Sequence, residues 1–136
     1  MAYAATISQR ELKRQAGLCL EGKDYIAFLV DNTTSISTET ATATWYAAVV
    51  SGDADYADVT GTLATGSWNG TALRYDIPSV TATFSADAGG TGYSYDTVVI
   101  AFDGETYIHS VIVETPAITL APGQSKTYTL TFVQDD

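Results

Sequence analysis

Residues 127 to 133 alternate without interruption: Tyr128, Leu130 and Phe132 fall on one face, and Thr127, Thr129 and Thr131 on the other. A period of two marks an extended strand with one buried and one wet face. Read backward to Tyr93, the same patterning predicts a β-meander: DTVVIAF, a turn at Asp103-Gly104-Glu105, TYIHSVIVE, Pro116, ITL, a turn at Ala121-Pro122-Gly123-Gln124, then KTYTLTFV. Asp-Gly supplies the positive φ that tight reversals need, and Pro-Gly fixes one φ and frees the next.

Upstream, the apolar spacing changes character. Ile7-Ser8-Gln9-Arg10-Glu11-Leu12 carries a capping box bracketed by a hydrophobic staple, and Gly17 can end the helix by turning left-handed. A short helix from Ser8 to Gly17 is therefore expected, packed on something larger because it is marginal alone. Tyr25-Ile-Ala-Phe-Leu-Val30 is apolar on both faces and reads as a central, doubly covered strand. Asp31 to Thr40 is a polar loop. Its Asn32-Thr33-Thr34 is a formal glycosylation acceptor, incidental without a secretory signal. Thr42 to Val50 (TATWYAAVV) is predicted as a strand with Trp45 and Tyr46 on opposite faces, whichever lies outward being a contact candidate. Trp68-Asn69-Gly70-Thr71 predicts a type I′ hairpin leading into Ala72 to Ile77. Pro78 ends that strand or marks an edge, and Ser79 to Phe84 forms another. A Gly-rich loop, Ser85 to Gly92, then feeds the meander.

About eight or nine short strands with one short N-terminal helix point to an all-β fold, a single β-sandwich or jelly-roll-like domain. No period suggests internal repeats. The expected layout is one domain over 1–136, with 1–24 as an N-terminal helix and docking element and 25–136 as the sandwich body. A chain of 136 residues is long enough to bury about two-thirds of its unfolded surface without covalent help. The single Cys19 cannot make an internal bridge. No apolar run approaches a membrane span, and MAYAATISQR lacks the charged start and apolar core of a signal peptide, so synthesis in the cytosol is expected.

Charge is low in density and uneven. Only 16% of residues are charged, and the net charge is −10. Residues 1–24 hold four basic against three acidic side chains (+1); the rest hold Arg74 and Lys126 against thirteen acids (−11). Binding to nucleic acid needs clustered cations and is not expected of the body. The basic residues Arg10, Lys13 and Arg14 could attract an acidic partner surface, including a neighbouring copy's body, or could simply be a solvated helix face.

Candidate chemistry is sparse. Asp53-x-Asp55-x-x-Asp58 is the best metal candidate, since calcium wants converging hard oxygens, but Ala57, Asp58 and Ala64 stand where an EF-hand loop needs an oxygen ligand, Gly and Glu. A solvated acidic loop is the plainer reading, and no metal or other cofactor is expected. His109, centred in TYIHSVIVE, has no second metal-type ligand near it. No serine sits in G-x-S-x-G or S-x-x-K, and Ala88 to Gly92 (AGGTG) lacks the Lys-Ser/Thr pair of a phosphate cradle. Nothing marks an enzyme, although a carboxylate pair for glycoside hydrolysis is a matter of spatial separation. Trp45, Trp68, Tyr93 and Tyr95 could stack on a glycan if exposed; packing is the alternative use.

This organisation resembles the small β-sandwich virion proteins of tailed bacteriophages, the tail-fibre-like and decoration proteins. The likeness lies in the helix Ser8 to Gly17 before an apolar strand, the Thr/Gly/Ala-rich middle and the Gly-rich approach to Asp96-Thr-Val-Val-Ile-Ala-Phe102. It continues through Pro116, Ile118-Thr-Leu-Ala-Pro-Gly-Gln124 and Thr127 to Val133. The resemblance implies a non-enzymatic structural protein, made in the host cytoplasm and located in the virion at the capsid surface, tail, baseplate or fibre. Other virion proteins and further copies of itself would be its partners, with no membrane and no nucleic acid. It brings no catalytic residues. The alternative is a carbohydrate-binding module for host-surface glycans.

Overall fold

Seven strands and one helical turn follow one another in a computed structural model that describes residues 22–31, 36–37, 39–72 and 74–134. The expected helix Ser8 to Gly17, with Arg10, Lys13 and Arg14, and the Asn32-Thr33-Thr34 site lie outside the described residues. The elements are β1 (Asp24–Val30), α1 (Thr42–Tyr46), β2 (Val59–Thr62), β3 (Ser67–Asn69), β4 (Arg74–Ser85), β5 (Tyr93–Phe102), β6 (Ser110–Leu120) and β7 (Ser125–Gln134). One sheet runs β2-β1-β5-β6 and the other β3-β4-β7. The fold is all-β and sandwich-like, as the patterning predicts, with seven strands among the described residues.

β1 lies between β2 and β5, its six residues from Tyr25 to Val30 paired antiparallel with Phe102 to Thr97. Tyr25 and Ala27 through Val30 are buried, which accounts for an apolar sequence on both faces. Gly61 of β2 lies against the Tyr25 ring, where a Cβ would come within 2.7 Å of the hydroxyl. By contacts the described residues divide into two compact units, one of 22–23, 62–81 and 129–134, the other of 24–61 and 82–128. In the first, Leu63, Ile77, Leu130 and Phe132 are buried, and Leu63 exchanges backbone hydrogen bonds with Gly22 and Lys23. In the second, the inner faces of the two sheets meet through aromatic rings. Phe84 of β4 and Tyr128 of β7 pack edge to face at 6.4 Å, and Tyr128 meets Tyr95 of β5 the same way.

Four expectations need correction. Thr42 to Val50 is not a strand: Thr42–Tyr46 forms one helical turn, and only Val49 and Val50 extend, Val49 bridging Val30 and the Val50 amide donating to Leu29 O at 2.9 Å. Its alanines favour helix, and the turn lets Trp45 drop onto Phe28, Val30 and Val99 while Tyr46 stays out. The Asn69-Gly70 hairpin is real but wider than a two-residue turn, since Asn69 pairs with Arg74. Asn69 Oδ1 accepts from the amides of Thr71 and Ala72, 3.0 Å each, and so caps a longer loop. Pro78 does not end β4; pairing with β3 stops at Asp76, so the missing N–H withdraws nothing from that ladder. Nor does the closing segment make one meander, because β6 belongs to one sheet and β7 to the other.

Pro116 sits inside β6, preceded by a cis peptide bond. Thr97 pairs with Val113 and Tyr95 with Ile118, so one residue of β5 faces four of β6, and the Pro-containing bulge stands at the sheet edge. On the outer faces, short hydroxyl side chains link neighbouring strands: Thr83 with Thr127 and Ser94 with Thr119, both at 2.8 Å.

Candidate functional site

A polar surface feature of the larger unit forms where the chain leaves α1 and Val49 bridges Val30 of β1. Gly52, at φ +84, turns it outward. Asp53 then organises the loop: its Oδ1 accepts from the amides of Asp55 (2.9 Å), Tyr56 (3.1 Å) and Asp87 (3.0 Å). A short side chain capturing amides two and three residues on is the Asx arrangement, and the third bond ties this loop to the one after β4.

So held, the Tyr56 ring stacks on Phe84 with centroids 6.1 Å apart and takes the edge of Tyr93 at 5.6 Å. Its hydroxyl accepts the Leu29 amide at 2.9 Å and donates to Asp58 Oδ1 at 2.9 Å. The hydroxyl of Tyr46 donates to the other oxygen, Oδ2, at 2.5 Å. Tyr46 leans edge-on against Phe28 at 5.0 Å yet remains 43% exposed. Around this Tyr-Asp-Tyr bridge opens a shallow depression of about 350 Å³, with Val49, Val50 and Ala57 as apolar lining and Ser51 and Asp53 as further polar lining.

Both hydroxyls are hard to ionise. Burial pushes the Tyr56 phenol up, and the Asp58 carboxylate adds to the effect. For Tyr46 the hydrogen bond to Asp58 is the main cause of a raised pKa. Each therefore stays a proton donor to Asp58 at neutral pH.

A second chain runs between the sheets. The buried Tyr95 and Tyr128 hydroxyls lie 2.6 Å apart, and Tyr128 donates to Glu114 Oε1 at 2.9 Å, so Tyr95 must donate to Tyr128. Burial raises the pKa of both phenols. Tyr93 donates to Ser85 O at 2.8 Å, and burial pushes its phenol up to about 12.

Several expected site residues are placed elsewhere. Trp45 is 1% exposed and Tyr95 is 0% exposed, so neither can touch a glycan; both are core side chains. Tyr93 is half-buried with its hydroxyl committed to Ser85, and Trp68 is half-buried in β3. The three aspartates do not converge on a common point: Asp53 holds amides, Asp58 holds tyrosines and Asp55 faces solvent. Among the described residues no group of three His, Cys, Asp or Glu side chains is placed to hold a metal ion. His109 is not in mid-strand; it precedes β6, exposed, with its ring 4.9 Å from that of Phe102.

Sequence reasoning missed Tyr56, Glu114 and Tyr128 as polar anchors. The D-x-x-Y-x-D spacing around Tyr56 holds the first signal; Glu114 carried none, because its position depends on the bulge at Pro116. A scan against protein-family models matched none, and neither the curated proteins nor the solved structures returned a match.

Proposed function

We propose that the chain is a non-enzymatic structural protein of a tailed-phage virion, present in multiple copies and joined to its neighbours through a sheet edge. The virion setting rests on the pattern of the sequence; the contact role rests on β6. Among the described residues this strand has β5 as its single neighbour, leaving a row of backbone donors and acceptors on its other side. Its first half, Ser110 to Val113, runs in unbroken register with β5 and carries Val113, 64% exposed. An open edge with an outward β-branched side chain suits strand addition by another chain, and the bulge at Pro116 limits that pairing to the first half.

Val113→Lys tests this, because a charge on an open edge opposes edge-to-edge pairing. Particles assembled with the variant should incorporate it poorly, and its mass by light scattering should fall below that of the wild type wherever the wild type self-associates. Normal incorporation together with unchanged mass would refute the edge role.

A further inference from the structure

The depression beside α1 has a marked donor–acceptor imbalance. Both tyrosine protons that could face it are spent inward on Asp58. Toward an incoming group remain the second lone pair on each Asp58 oxygen, the free pair of Tyr46 Oη, what the backbone amides leave of Asp53 Oδ2, and the Ser51 hydroxyl, so acceptors outnumber donors. None of the side chains lining it is Lys, Arg or His. A neutral hydroxylated ligand needs acceptors and donors alike, whereas a cationic side chain brings donors alone and gains from two carboxylates. The remaining surfaces suit such a side chain: Val49, Val50 and Ala57 can cover an aliphatic stem, and the half-exposed Tyr46 ring can take a guanidinium or ammonium group.

We propose that this depression is a socket for an arginine or lysine side chain from residues 10–14 of another copy of the chain. Charge complementarity selects that occupant. Residues 1–24 carry +1 against −11 for the remainder, and Arg10, Lys13 and Arg14 stand within five positions, the densest basic cluster in the chain. Like bodies repel, so a basic segment reaching a neighbour's acidic loop offsets that repulsion where copies meet. The inference rests on the multi-copy reading and names a second contact besides the β6 edge.

The test is calorimetric titration of a peptide of residues 7–16 into the full chain at low salt, with a scrambled peptide of equal composition as control. The wild type should bind the native-order peptide more tightly. Asp58→Asn, which keeps hydrogen-bonding partners for both tyrosines, should weaken binding about tenfold or more, as loss of a charge-assisted hydrogen bond does. Asp55→Asn, outside the depression, should leave it unchanged, and added salt should weaken it. Tyr46→Ala provides a second disruption should Asp58→Asn fold poorly. No binding, equal binding of the scrambled peptide, or equal losses in Asp55→Asn and Asp58→Asn would overturn the socket. The edge contact is judged separately by Val113→Lys, so either can fail alone.

Discussion

The chain Tyr95–Tyr128–Glu114 makes an ordered prediction about two substitutions that differ by one oxygen each. Tyr95 is 0% exposed and its hydroxyl has Tyr128 as its acceptor; Tyr128 passes its own proton to the half-buried Glu114. In Tyr128→Phe the Tyr95 hydroxyl loses its acceptor in a place water does not reach. Leaving a buried donor unsatisfied costs about 1–3 kcal/mol. In Tyr95→Phe the Tyr128 hydroxyl still donates to Glu114, so only a hydrogen bond's net contribution is lost, about 0.5–1.5 kcal/mol. The double variant removes donor and acceptor together and should cost less than the two single changes combined, with a coupling of about 1 kcal/mol or more. Urea unfolding followed by the fluorescence of the buried Trp45 measures all three. Equal costs, the reverse order, or strict additivity would refute the assigned direction of the proton chain.

Trp45→Ala should destabilise by about 3–5 kcal/mol through the cavity it leaves, whereas Trp45→Phe should cost far less, since the indole N–H it removes has no partner among the described residues; melting curves check both. Gly92 and Gly104 both have φ near +80, but a Cβ on Gly92 would run into Leu120 O while one on Gly104 meets open space. Gly104→Ala should therefore cost about 1–2 kcal/mol of backbone strain and Gly92→Ala clearly more, by the same melting assay. Because Tyr93 ionises at about 12 in the fold, and Tyr56 and Tyr128 are also raised, the native state favours neutral phenols relative to the unfolded chain's value of about 10. Their contribution is complete below pH ~10 and declines as pH rises toward ~12, so unfolding free energy should drop across that window; a flat profile would contradict it.

Residues whose neighbours are set by period alone lie where the sequence pattern places them. Tyr128, Leu130 and Phe132 point inward and Thr127, Thr129 and Thr131 outward, and Tyr25 to Val30 is the doubly flanked strand its composition demands. Errors arose where a short apolar run fits two periods. TATWYAAVV alternates well enough for a strand, yet its alanines and the gain from burying Trp45 favour a helical turn. Pro78 and Pro116 lie within strands because the strands are unpaired there on one side or bulged, a tertiary circumstance that no local rule contains. The candidate site is legible in its acids and in Tyr46, the outward member of the Trp45–Tyr46 pair. Asp53 and Asp58 are metal-ligand candidates by type; the amides of residues 55 and 56 and the Tyr56 hydroxyl are local partners, whereas the Asp87 amide and Tyr46 are brought near by folding.

The hydroxyl pairs across the sheet exteriors have one more consequence. Thr83 with Thr127 and Ser94 with Thr119 fasten strands by uncharged groups, so dissolved ions find nothing there to shield. Those links themselves have no charge for salt to screen, unlike an ion pair. Beyond residue 24, Arg74 and Lys126 are the only arginine and lysine, which leaves trypsin-like proteases few places to cut.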